Sequence, residues 1–241
     1  MTELLYLPDS DGITAFEATV TDATPEYIVL DGTYFYPEGG GQPADRGHIQ
    51  WNGGRAQVVD VRKDHGAVRH SLDKVEGDLP ESGATVAGRI DGERRERLRR
   101  MHTAQHVVSR VALEEFDAAT AGNQIHEDRS RLDFEPADFD NEDVATIERN
   151  ANAVVERNLP VVKAERPRDR VEDETPDGRT QLDLIPESVD PLRVVEIEEF
   201  DFCPCGGTHV DRTGEIGRIE ITDRTSKGAD VDRVEFELVD G

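Results

Sequence analysis

ERRERLRRMHTAQHVVSRVALEEF, residues 93–116, is where the chain changes its period. Leu98, Met101, Val108, Val111, Ala112 and Phe116 recur at helical spacing and predict one strong amphipathic helix. Upstream, from Met1 to about Asp91, the apolar residues come in short runs separated by turn chemistry. We expect strands there at 13–21, 27–31, 47–51, 56–61, 68–71 and 85–90. Asn52-Gly53-Gly54 has the composition of a hairpin turn and Asp31-Gly32 of a second one, so this segment reads as a small all-β barrel. Downstream, a strand is expected at 131–134, and then a helix that starts near Asp140 as N-cap and stops at Leu159-Pro160. Further strands are expected at 161–165, 192–197, 218–223 and 233–238. The charged, proline-bearing stretch 166–180 reads as an exposed loop. The fold class is α+β: a barrel domain over residues 1–91 and, over 92–241, a domain with helices packed on a mostly antiparallel sheet.

The formal net charge is -25, from 53 Asp and Glu against 28 Lys and Arg. Four of those basic residues are lysines: Lys63, Lys74, Lys163 and Lys227. The acids are spread among ordinary strand and helix patterns instead of standing in blocks, so they coat a folded protein. A halophilic, salt-rich cytoplasm explains such a surface. At molar salt the screening length falls to roughly 3 Å, and an acidic coat then neither unfolds itself nor excludes a polyanionic partner. No run of 18 apolar residues occurs and the N-terminus has no secretory pattern, so the chain is expected to be cytoplasmic. Cys203 and Cys205 stand too close for an unstrained bridge and read as reduced thiols.

Chemistry concentrates in two places. His102 and His106 are four residues apart on the first helix, so both imidazoles project from one face. By themselves such pairs are more often ordinary core or surface histidines. No Glu follows the first His, which excludes the zinc-protease pattern. The second place is Cys203-Pro204-Cys205-Gly206-Gly207-Thr208-His209, a turn-rich segment between strands in which Cys205 and His209 are again four apart. The bland reading makes both cysteines small buried hydrophobes. Together the two pairs complete a set of four zinc ligands, His102, His106, Cys205 and His209, with Cys203 as the spare. Catalytic zinc usually keeps an open position and four protein ligands usually mark a structural site. The residues leave open a fifth coordination position, the loss of one ligand in the working state, or a purely structural ion.

His102 and His106, followed about a hundred residues on by Cys205-Gly206-Gly207-Thr208-His209-Val210 and then Thr213-Gly214-Glu215-Ile216-Gly217, resemble the editing domain shared by alanyl-tRNA synthetases and AlaX proteins. Ser130-Arg131-Leu132-Asp133-Phe134, Ser226-Lys227-Gly228 and Arg233-Val234-Glu235-Phe236 fall in the same order as in that family. Threonyl-tRNA synthetase editing domains are similar in the metal pattern. The choice comes from Thr33-Tyr34-Phe35-Tyr36-Pro37-Glu38-Gly39-Gly40-Gly41-Gln42, which resembles the glycine-rich loop of alanyl-tRNA synthetases and of the medium-length AlaX class. A chain of 241 residues opening on Met1 is expected to lack an aminoacylation domain.

The resemblance implies a free-standing, ATP-independent editing hydrolase with one Zn2+ per chain. Its substrate would be tRNA(Ala) mischarged with Ser or Gly, cleaved at the ester to the 3'-terminal adenosine. It further implies that Thr33 discriminates serine, and that Gly39, Gly40, Gly41, Gln42 and Lys227 meet the substrate. No Asp or Glu stands out as general base. Arg89, Arg94, Arg95, Arg97, Arg99 and Arg100 either grip phosphates or belong to a solvated helix face with the i,i+4 pairs Glu93–Arg97 and Glu96–Arg100. The rival functions are a non-catalytic, zinc-stabilised tRNA-binding module and editing of another mischarged tRNA of the threonyl type.

Overall fold

The computed structural model describes residues 1–180, 182 and 185–239. The chain divides into two compact units, Met1–Glu96 and the part from Arg97 onward.

In the first unit β1 (Glu3–Leu4) pairs in parallel with β4 (Gly32–Thr33). Six further strands close an antiparallel barrel: β2 (Ala15–Ala23), β3 (Tyr27–Leu30), β5 (Gly47–Trp51), β6 (Gly54–Asp64), β7 (Ala67–Glu76) and β8 (Thr85–Ile90). They run in the order β2-β3-β7-β6-β5-β8, with β8 returning to β2. Strict alternation makes this possible. In β8 Val86, Gly88 and Ile90 point inward while Thr85, Ala87 and Arg89 face out. Val20, Ile28, Leu30, Ile49, Val58, Val61 and Val68 fill the interior, each such side chain contributing about 1.5–3 kcal/mol by leaving water. Asn52-Gly53 forms the expected two-residue hairpin turn between Trp51 and Gly54, and Gly53 has the positive φ of 88° that such a turn demands. Asp31-Gly32 is not a hairpin. Asp31 Oδ1 instead accepts the N–H groups of Thr19 and Gly32, and the chain continues into β4.

The second unit is carried by α1 (Gly92–Phe116), whose first turns begin in the first unit, and α2 (Asn141–Glu156). Asp140 caps α2 by accepting from the amides of Glu142 and Asp143, and Asp143 bonds back to the Asp140 amide. A four-stranded antiparallel sheet has the order β14 (Arg218–Gly228), β15 (Val231–Val239), β10 (Arg129–Glu135) and β9 (Ala119–Ile125). A separate three-stranded sheet holds β11 (Val161–Arg166), β12 (Leu192–Ile197) and β13 (Asp201–Pro204). The expected single sheet is therefore two. One core joins both helices to both sheets, with Leu98, Met101, Val108, Ile147, Leu132, Phe236 and Val195 all fully or almost fully buried.

Three segments depart from the sequence reading. Residues 119–125 form β9 although Ala, Gly, Asn and Gln have low strand propensity, because pairing with β10 overrides it. Cys203 lies on a strand, β13, and not in a turn. The stretch 166–180 contains α3 (Arg168–Glu174), whose single apolar residue, Val171, is buried with Leu192 and Val194 in a small satellite core. No helix among the described residues is long and apolar enough to cross a membrane.

Candidate metal centre

α1 presents His102 and His106 one turn apart, and the loop after β13 brings Cys205 and His209 to the same point. One ligand atom from each of the four lies within 4.8 Å of every other. The Cys205 Sγ is 3.6 Å from His102 Nε2 and 3.4 Å from His209 Nε2. Zinc bonds of about 2.0–2.1 Å to nitrogen and 2.3 Å to sulfur set tetrahedral N-to-S edges near 3.5 Å, so these separations already fit. The imidazole ring centres stand 4.3–5.3 Å apart.

The protonation states fit as well. Burial pushes the Cys205 thiol up, but the imidazoles of His102 and His209 outweigh that and hold it well below its ordinary value. Burial lowers His102, and it lowers His209 far below the usual range for histidine. A thiolate beside neutral His102 and His209 is the form in which these three side chains bind metal, whereas His106 would give up a proton on binding. Gly207 donates its amide to Cys205 Sγ at 3.3 Å, a bond that favours the thiolate.

Thr103, between the two helix histidines, fixes His209. Its hydroxyl donates to the Arg99 carbonyl at 2.9 Å, which uses its only proton. The two remaining lone pairs then accept from the Val210 amide at 3.2 Å and from His209 Nδ1 at 3.2 Å. His209 must carry its proton on Nδ1, which leaves the Nε2 lone pair directed at Cys205. For His106, burial alone would lower the ring, yet Asp201 and the Cys205 sulfur hold it above its ordinary value. Cys203 does not join the set. Burial raises its thiol to about 12, and its Sγ contacts the Pro204 carbonyl at 3.5 Å.

Of the residues assigned to substrate, Thr33 and the glycine-rich loop belong to the first unit and Lys227 to the second. Thr33 is fully buried within the first unit, hydrogen-bonded to His70 Nε2 at 2.8 Å and to the Phe35 amide at 3.1 Å. Gly39 and Gln42 exchange backbone hydrogen bonds at 3.1 and 3.0 Å across a tight turn, with Gly40 and Gly41 at φ of 56° and 82°. The glycine-rich loop is thus an ordered hairpin turn, and the Gln42 side chain is buried. Lys227 is exposed, at the register shift between Ser226 and Gly228 near the end of the β14–β15 hairpin.

Three of the arginines correct both readings given for them. Arg94, Arg95 and Arg99 are buried. Arg94 donates to the Ala44 carbonyl, Arg95 pairs with Asp45 and donates to the Tyr34 carbonyl, and Arg99 donates to the His209 carbonyl at 2.7 Å. They hold backbone in place and are not a solvated face. Sequence reasoning also missed Thr103, Asp201 and Arg179. Alternation along β13 puts Asp201 and Cys203 on one face, a usable signal, whereas nothing local marks Arg179.

Residues 192–235 match the family described as the threonyl and alanyl tRNA synthetase second additional domain, and residues 9–94 match class II (A) tRNA synthetases. The alanyl-tRNA editing protein AlaX-M of Methanosarcina acetivorans is 39% identical over 246 residues, covering 100% of both chains. That of Methanosarcina barkeri is likewise 39% identical, over 245 residues and 100% of both. The alanine–tRNA ligase of Methanopyrus kandleri is 44% identical over 216 residues, 87% of this chain but 23% of the ligase. Similarity over the whole length of the AlaX-M proteins, against partial coverage of the ligase, shows that this chain belongs to the AlaX-M family of alanyl-tRNA editing proteins.

Proposed function

We propose that the protein is a zinc-dependent hydrolase that removes serine or glycine from mischarged tRNA(Ala). The observation that carries this reading is the convergence of His102, His106, Cys205 and His209, with Cys205 poised to be a thiolate, in a chain similar over its whole length to alanyl-tRNA editing proteins. Zinc bound there supplies Lewis acidity, which an ester carbonyl or its attacking water needs. The protein's own part is to hold that donor set rigid and to bind and orient the aminoacyl end. Thr103 and Gly207 do the first of these through the bonds to His209 and Cys205. We assign no general base.

For substrate, the turn at 39–42 offers backbone that a ligand can approach closely, since a side chain added at Gly40 would meet nothing within 4 Å. Exposed Lys227 is assigned to a phosphate or ribose of the tRNA end, a contact that positions the substrate. Thr33 is assigned to serine selection. Ile28 accepts from His70 Nδ1 at 3.0 Å, so His70 Nε2 is an acceptor and takes the Thr33 proton. Thr33 is left to act only as an acceptor for a serine hydroxyl. The place of action is the cytoplasm, where charged tRNA is used.

The test is deacylation of Ser-, Gly- and Ala-charged tRNA(Ala) at high salt, with and without a chelator. Hydrolysis of the Ser and Gly esters that stops on chelation supports the reading. Tight tRNA binding without turnover would instead mark a non-catalytic binding module. Preference for a threonyl-type mischarge would move the substrate class.

A further inference from the structure

Asp201 lies beside the metal centre, completely buried, and is held by two bonds from Arg179, at 2.7 Å from Nε and 2.6 Å from Nη2. Arg179 also donates Nη1 to Ser109 Oγ at 3.3 Å, one turn along α1 from His106. The second face of the carboxylate looks at His106. Asp201 Oδ2 is 3.5 Å from His106 Nδ1, a buried nitrogen with no hydrogen-bond partner within normal range among the described residues. An unsatisfied buried N–H is unfavourable, and a shift of about half an ångström would bring this pair to normal N–H···O length.

We propose that Asp201, clamped by Arg179, is the positioning residue of His106. It accepts the Nδ1 proton when Nε2 serves a metal, and so fixes ring orientation and raises metal affinity. The inference deepens the zinc reading above and rests on it. It also gives the stretch after α3 a function, because Arg179, from a segment the sequence marks as surface, becomes part of the metal centre's support. His209 has an analogous support in Thr103, but a neutral one. The centre thus pairs one hydroxyl-held and one carboxylate-held imidazole.

The experiment measures zinc affinity by competition with a chelating indicator for wild type, Asp201→Asn and Asp201→Asn/Arg179→Met. The double variant removes the ion pair as a unit, because Asp201→Asn alone strands a buried guanidinium. Zinc binding about 10–100-fold weaker in the folded variants is expected. Affinity unchanged within two-fold, with only the melting temperature of the metal-free protein lowered, would make Asp201 a structural residue and overturn the proposal. Nitrogen-15 NMR of the zinc-loaded wild type tests the same point without a variant. A slowly exchanging proton on His106 Nδ1 supports the proposal and a bare Nδ1 overturns it. A wild type that takes up no zinc at all would sink the metal reading, an outcome distinct from equal affinities.

Discussion

His70 and His209 are both fully buried imidazoles hydrogen-bonded to a threonine hydroxyl, yet one ends as core and the other as a candidate ligand. The difference is where the threonine sends its proton. Thr33 gives its proton to His70, whose Nδ1 is already committed to the Ile28 carbonyl, so both ring nitrogens are used up inside the barrel. Thr103 gives its proton to the Arg99 carbonyl, so His209 must donate to Thr103 and its Nε2 turns to Cys205. Burial alone does not separate a structural histidine from a metal ligand. The direction of one hydrogen bond does.

The largest expected effect comes from breaking the ligand side of this contrast. His102→Ala/His106→Ala protein should contain far less than one zinc per chain and lose more than about 100-fold in deacylation rate. Elemental analysis and single-turnover kinetics check this, and a full complement of zinc in that variant would end the assignment. His70→Gln, by contrast, should leave zinc content unchanged.

Next in size is Thr33→Val, which keeps shape and removes the hydroxyl. The ratio of serine to alanine hydrolysis should fall by an amount equivalent to about 1–3 kcal/mol, because alanine, the smaller product, can be rejected only by leaving a polar group unpaired. The variant also strands His70 Nε2, so its melting temperature should drop independently of the ratio. An unchanged ratio in folded, zinc-loaded protein moves discrimination to Gln42 or to the metal centre.

The His70 side can be sharpened by acid titration. Burial lowers this imidazole from 6.5 to about 4, against the smaller opposing bond to Ile28. The unfolded chain therefore binds a proton that the native state refuses between these values. His70's contribution is fully present above pH 6.5, is lost as pH falls toward 4, and is constant below that. The loss amounts to about 3 kcal/mol. Comparing unfolding of wild type and His70→Gln across this window should show a shallower slope for the variant, and parallel slopes would refute the assignment.

The smallest and most diffuse effect is that of the acidic surface. With a net charge of -25, the melting temperature should rise with KCl over the molar range as repulsion is screened. A flat or falling curve would contradict the reading.

Much of this was legible in the sequence, for identifiable reasons. The alternation in β8 and the turn at Asn52-Gly53 announce the barrel, and the i, i+4 spacing of His102 and His106 becomes a set of four once Cys205 and His209 are added. What was hidden depends on tertiary pairing. Ala119–Ile125 becomes a strand only because β10 accepts it, α3 is held by one valine, and the Arg179–Asp201 pair spans 22 residues with no local pattern. The arginines of α1 look solvated by spacing, yet Arg95 and Arg99 are consumed by carbonyls and carboxylates that no local window contains.

The most direct test of the central claim, that these four residues hold one metal through a single thiolate, is cobalt substitution followed by absorption spectroscopy. One cobalt per chain is predicted, with a sulfur-to-metal charge-transfer band that persists in Cys203→Ser and disappears in Cys205→Ser. A band that survives in Cys205→Ser, or no stoichiometric cobalt in the wild type, would contradict the account.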